Sequence, residues 1–190
     1  MSDKSSKNRK NKSYRLEPYN PAWPEEFEKL KRQIAPMYGD NLVGFYHIGS
    51  TSVPGMLAKA QIDVCAIVKD LEKVKDVRHK FEALGYEAKG DYIGKGEEYF
   101  TFDNEEGERK YNIHTFQEDN PAIEEYFSFR DYLRTFPEAM NEYIAIKEEL
   151  RDEYGENDYN SYDRNKGDRI QELKDKAMAW YRDKTNSNNL

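Results

Sequence analysis

The residues best suited to chemistry lie between His47 and Val68, in the stretch HIGSTSVPGMLAKAQIDVCAIV. Gly49, with no side chain, lets backbone approach a ligand closely. Ser50, Thr51 and Ser52 add three hydroxyls at the same place. A helix beginning near Thr51 would aim its unpaired N–H groups at an anion, for which phosphate is the natural guest. A capped strand-to-helix turn that binds nothing is the plain alternative. Thirteen residues after Ser50, Asp63 interrupts an apolar run of Ile62, Val64, Ala66, Ile67 and Val68. Burying an unpaired carboxylate costs several kcal/mol or shifts its pKa upward. Asp63 therefore points outward, pairs with a lysine such as Lys59, or binds a metal at the sheet edge. A glycine-serine turn with an aspartate on the next strand suits a Mg²⁺–nucleotide site, in which a hard cation takes carboxylate and phosphate oxygens.

Other candidates are more scattered. Asn112 and His114 alternate on a later strand and so share a face, where they can bind a ligand jointly. Arg130 and Asp131, in FRDYLR, make a helix-borne pair whose guanidinium suits bidentate phosphate contact, or simply a surface pair. Lys166 can meet phosphate as a point charge or remain a solvated lysine near a helix start, and Lys59 either pairs with Asp63 or helps hold phosphate. Glu97 and Glu98 are possible donors of a further carboxylate. Cys65 reads as a small buried hydrophobe, His47 as packed at a strand end, and His79 as lying on the polar side of a helix.

Regular elements must position these groups. Trp23, Phe27, Leu30, Ile34 and Met37 form one helical stripe, with Pro24 in its first turn. Leu42 to Ile48 and Ile62 to Val68 read as strands. Leu71, Val74, Val77, Phe81 and Leu84 form a second stripe, with Asp70 as N-cap and Gly85 as stop. Tyr86 to Ala88 starts a short strand. Tyr99–Phe102 and Lys110–Phe116, joined by a polar turn, predict a hairpin. Beyond Pro121 three helices are expected, on the faces Phe129–Phe136, Met140–Leu150 (including the stem of Lys147) and Ile170–Tyr181. The predicted class is α+β: a mixed β-sheet with packed helices and a helical C-terminal part.

Composition narrows the choices. The 190 residues are 35% charged and 14% aromatic, which suits one domain with a real core, here placed at 16–184. The net charge of −7 disfavours a broad nucleic-acid surface. Residues 1–15, with six basic groups against Asp3, read as a disordered tail that could touch RNA or another polyanion, the one route by which nucleic acid is expected as a partner, and 185–190 as a frayed end. The lone Cys65 makes no internal disulfide, and no apolar run approaches the roughly 20 residues of a membrane helix. With no signal peptide in sight, the expected compartment is the cytoplasm. Oligomeric state is not legible.

Several motifs in order resemble the GrpB family, which shares the fold of the nucleotidyltransferase superfamily. They are YNPAWPEEFEKL (Tyr19–Leu30), HIGSTSVPGMLAKAQIDV, LGYEAKG (Leu84–Gly90), NIHTF (Asn112–Phe116), FRDYLRTFPE (Phe129–Glu138) and YDRNKGDRI (Tyr162–Ile170). The resemblance implies a nucleotidyltransferase-like fold, with Gly49 and Ser50 at the phosphate turn and Asp63 in the acidic position. Two departures stand out. The positions two residues either side of Asp63 are Gln61 and Cys65, neither a hard anionic ligand. Where the family tends to show two alternating histidines, this chain has Asn112 and His114. The leading expectation is a protein that binds a nucleoside triphosphate or related phosphate ligand with Mg²⁺ on Asp63. If it transfers a nucleotidyl group, His114, Arg130 and Lys166 would stabilise the developing charge. The alternative is a degenerate member that binds a nucleotide or a partner protein without chemistry.

Overall fold

The computed structural model describes residues 14–187, so most of the predicted basic tail (1–13) and residues 188–190 lie outside the described residues. The order is α1 (Trp23–Ile34), β1 (Leu42–Ile48), β2 (Ile62–Val68), α2 (Glu72–Ala83), β3 (Glu87–Gly90), β4 (Glu97–Asp103), β5 (Arg109–Gln117), α3 (Ala122–Thr135), α4 (Pro137–Tyr154), α5 (Tyr159–Arg169) and α6 (Gln171–Ser187). The predicted mixed α+β architecture with a helical C-terminal part is the one observed. One five-stranded sheet runs β1-β2-β5-β4-β3, with β2 and β5 parallel and the other pairs antiparallel.

Alternation sorts the side chains of the central strands. Ile62, Val64, Ala66, Val68, Phe100 and Ile113 pack with Phe27, Leu30 and Ile34 of α1 and Val74 and Phe81 of α2. Asp63 lies opposite Asn112 and Cys65 opposite His114, and these point to the other side. There Cys65, Ile67, Ile48 and Phe116 meet Ala122 and Tyr126 of α3. Leu133, Tyr143, Ile170 and Leu173 tie α3, α4 and α6 to Val53 and Met56 of the β1–β2 connection.

Several boundaries differ from expectation. The first stripe stops at Ile34 and passes into a 3₁₀ segment, Ala35–Asn41; Pro36 lacks the N–H that another α-turn would need. The short helix expected between β1 and β2 is a three-residue 3₁₀ segment, Ser50–Ser52, and not an α-helix, cut short by Pro54 and Gly55. The expected helix N-terminus at the phosphate turn is therefore absent. Strand β4 begins two residues early and takes in Glu97 and Glu98. A fourth C-terminal helix, α5, carries Lys166 near its end rather than at a helix start. At the tail boundary, Tyr14 is buried and packs on Tyr162, ring centroids 4.4 Å apart. Residues 185–187 continue α6.

Candidate functional site

Asp63 is the hub. Parallel pairing of β2 with β5 sets it beside Asn112, whose Nδ2 donates to Asp63 Oδ1 at 2.7 Å. The Asn112 carbonyl oxygen in turn accepts from the Tyr99 hydroxyl (2.7 Å) and from Arg109 Nη1 (3.0 Å), which fixes the amide orientation. Burial pushes the Tyr99 phenol up, so it stays a donor. Gly49 closes the other side. Its φ is +70°, and a Cβ there would collide with the Asp63 carboxylate. Only glycine meets both conditions. Of the three fates weighed for Asp63, the ion pair with Lys59 is not formed: the lysine ammonium sits over the Tyr159 ring, 4.1 Å from its centroid. Asp63 faces a cavity.

That cavity, about 670 Å³, lies between the sheet and helices α3–α6, within the usual range for a small-molecule site. It is lined by Gly49, Ser50, Thr51, Lys59, Asp63, Asn112, Arg130 and Lys166, and by Tyr126, Tyr143, Lys147, Tyr159, Tyr162 and Asp163 among others. Eight of the ten residues singled out in the sequence thus share one chamber, drawn from β1, β2, β5, α3 and α5 and their connections.

The turn is braced from behind. Thr51 Oγ1 donates to the Gln61 carbonyl (2.9 Å) and so accepts from His47 Nε2 (3.0 Å), which makes His47 the Nε2–H tautomer. Burial, with Arg134 and Arg130 nearby, pushes the His47 pKa down to about 4, leaving the ring neutral at pH 7. Arg130 donates from Nη1 to the His47 carbonyl (3.1 Å) and from Nε to Asp131 (2.7 Å). Arg134 grips the Ser52 carbonyl with Nε (3.0 Å) and Nη2 (2.6 Å). Two arginines of one helix therefore set the turn against the sheet.

Two predicted residues face elsewhere. Ser52 Oγ donates to the Gly49 carbonyl (2.6 Å), and the residue lies on a second hollow with Phe27, His47 and Met140; its hydroxyl serves the turn itself. His114 shares the Asn112 face, but its Nδ1 is bonded to Glu97 Oε2 at 2.7 Å and its ring stacks on Tyr99, centroids 4.5 Å apart. It does not line the cavity, and Glu97, drawn in by the early start of β4, occupies its Nδ1. Asn112 and His114 do not converge on a shared partner.

Lys147 was not anticipated as a site residue. Its side chain is 3% exposed, with Nζ donating to Ser50 Oγ (2.8 Å) and the Leu57 carbonyl (2.5 Å). Burial, with Lys166 and Lys59 close by, holds its pKa well below the usual lysine range. Burial and Lys166 likewise push Lys59 down to about 7. Lys166 is tied to Asp163 at 2.8 Å. The signal for Lys147 was a cation between Tyr143 and Leu150 on a helix face that otherwise buries apolar groups.

Mg²⁺ fits this donor set poorly. Asp63 Oδ1 is engaged by Asn112. Cys65 is buried, its thiol pushed up to about 12 by burial, and Gln61 offers no charge. Among the described residues no group of three or more His, Cys, Asp or Glu side chains is arranged to hold a metal. The two-carboxylate arrangement of metal-assisted nucleotidyl transfer is not assembled.

The family model described as GrpB protein matches residues 13–176. The crystal structure of conserved protein GrpB from Enterococcus faecalis superposes with a TM-score of 0.81 at 31% identity, covering 88% of this chain and 99% of that one. UPF0157 protein YqkA of Bacillus subtilis is 33% identical over 170 residues, 90% of this chain but 49% of YqkA, so the chain spans about half of that relative's length. UPF0157 protein SCO7215 of Streptomyces coelicolor is 32% identical over 164 residues, 86% of this chain and 84% of the relative. Among the described residues no helix is long and apolar enough to cross a membrane.

Proposed function

The chain belongs to the GrpB family, and for this member of it we propose that the cavity beside the Gly49–Thr51 turn binds a phosphate-bearing small molecule, a nucleotide, without transferring a nucleotidyl group. The observation that carries this reading is the basic lining of the chamber. Six basic side chains (Lys59, Lys95, Arg130, Lys147, Lys166 and Lys174) line it against four carboxylates (Asp63, Glu125, Asp163 and Asp175), in a chain of net charge −7. Basic groups gathered in a hollow of an acidic protein favour an anion, whose arrival charges the lysines that burial leaves neutral. The tyrosines in its wall offer ring faces for a base.

The transferase reading keeps one point in its favour: Asp63 is pinned by Asn112 and opens on the same chamber as the turn. Thermal unfolding with ATP, GTP, CTP and UTP, each in EDTA and in Mg²⁺, separates the two. At a hundred times Kd a ligand adds about 2.7 kcal/mol, a rise of roughly 5–10 °C for a domain of this size. Binding without transfer predicts that rise in EDTA, kept in Asp63→Asn. A rise that needs Mg²⁺ and disappears in Asp63→Asn supports the transferase. No rise with any nucleotide overturns both.

A further inference from the structure

Lys147 is a buried lysine whose two hydrogen-bond acceptors, Ser50 Oγ and the Leu57 carbonyl, are neutral. Among the described residues no carboxylate ion pair is formed by it or by Lys59. Burial without a carboxylate disfavours the ammonium form, so an anion arriving here supplies the counter-charge that the fold withholds. Three lysines reach this spot from separate elements: Lys59 from the connection before β2, Lys147 from α4 and Lys166 from α5. Lys59 and Lys166 both lie within 6 Å of the Tyr162 ring centroid, at 5.8 and 5.7 Å. Only Lys166 has a carboxylate partner, Asp163. Asp63 lies in the same chamber and repels an anion, so the lysines must hold more than one negative charge to prevail.

Resting on the nucleotide reading above, we propose that Lys59, Lys147 and Lys166 form a polyphosphate subsite that holds the di- or triphosphate of the ligand directly, in place of a divalent cation. An ammonium matches a phosphoryl oxygen as a compact point charge. Three of them neutralise the bridging and terminal oxygens that Mg²⁺ covers elsewhere. Lys147 keeps a donor to spare after Ser50 and Leu57, because an ammonium has three. The subsite has a second signature, proton uptake. Lys59 is faced by Lys166, Asp163, Tyr159 and Tyr162 of α5, Asp63 of β2 and Arg109 of β5. Lys147 is faced by Lys59, Lys166 and Asp63, and by Tyr143 on its own helix. Burial first, and the neighbouring lysines after it, disfavour the charged form of this pair, and an arriving polyphosphate favours its reprotonation.

The test is isothermal titration calorimetry of the full chain in EDTA at pH 8 with orthophosphate, pyrophosphate and tripolyphosphate, in two buffers of different ionisation enthalpy. Affinity should rise about tenfold with each added phosphoryl group, and tripolyphosphate binding should take up close to one proton. Lys59→Gln should weaken tripolyphosphate about tenfold, leave orthophosphate nearly unchanged and reduce the proton uptake. Lys59 is chosen because Lys147→Met removes a buried brace of the turn and risks the fold; a thermal melt of each variant controls for that. Equal affinity for the three anions, or binding that requires Mg²⁺, overturns the subsite. If nucleoside mono- and triphosphates bind equally, the subsite fails and the nucleotide reading stands. If tripolyphosphate binds as tightly as any nucleotide, the subsite stands and the nucleoside part of that reading fails. If nothing binds, both fail.

Discussion

On the side of the sheet covered by α1 and α2, alternate residues of the central strands are Val64, Ala66, Ile113 and Phe100, all fully buried and apolar. On the side facing α3–α6 the neighbouring positions are Asp63, Asn112, His114, Tyr99 and Glu97, joined by side-chain hydrogen bonds. The same backbone ladder carries both. The first face is mainly close-packed, with stabilisation that scales with apolar area removed from water, and its buried polar groups include Thr115, bonded to Tyr38, and Glu98, paired with Arg78 of α2. The second mixes the apolar Ile48, Cys65, Ile67 and Phe116 with a longer polar network, each member of which must be satisfied. One atom stays unsatisfied, Glu97 Oε1, buried and without a hydrogen-bond partner. The two surfaces of the sheet thus differ in how much polar side-chain bonding they carry, and the cavity of the proposed function opens on the more polar one.

Breaking the packed face should cost most. Phe100 is fully buried and stacks on Phe81 with ring centroids 4.0 Å apart; Phe100→Ala should destabilise by about 3–5 kcal/mol in urea unfolding.

A smaller effect tests the titratable group on that same side, His47, which stacks on Phe27 of α1. Burial first, with Arg134 and Arg130 nearby, holds its folded pKa at about 4, below the ordinary histidine value of about 6.5. The unfolded chain therefore binds the proton first as pH falls. Its contribution is full above about pH 6.5 and is lost between there and pH 4, on the order of 2–3 kcal/mol. Urea unfolding of wild type and His47→Gln at pH 7 and pH 5 should show a steeper loss in wild type, the difference between the two slopes being the His47 contribution.

The smallest stability change belongs to the polar face. Asp63→Asn keeps an oxygen for Asn112 Nδ2 and should shift stability by no more than about 1 kcal/mol. It also removes a repelling charge, so calorimetry should show tripolyphosphate binding tighten. Loss of binding instead would mean that Asp63 engages the ligand through a cation, and the two faces would then differ in chemistry as well as polarity.

How far each face was legible follows from the same contrast. Strands β1 and β2 begin and end where the apolar runs Leu42–Ile48 and Ile62–Val68 do; β2 is buried almost throughout, which writes itself into residue type, while β1 is an edge strand that leaves Val43 and Tyr46 exposed. Helix α2 was legible from its stripe, and Asp70 Oδ1 does accept from the Glu72 N–H, at 3.0 Å. The cavity was only half legible. Gly49, Ser50 and Asp63 are close in sequence, and their grouping needs one turn and one strand pair. Helix α5 (YNSYDRNKGDR) buries Tyr162 alone and has no apolar stripe to announce it. Glu97 meets His114 only because β4 pairs with β5 at a register that no local pattern specifies. Lys147 reaches Ser50 across 97 positions of chain. Such pairings depend on how helices dock, which periodicity does not encode.

Residues 159–178, in α5 and α6, form one complete wall of the chamber, from Tyr159 through Lys166 to Met178. The strands and the glycine turn make the opposite wall. If the chamber holds the ligand proposed above, substitutions in the last two helices would alter part of its lining while leaving Gly49 and Asp63 untouched.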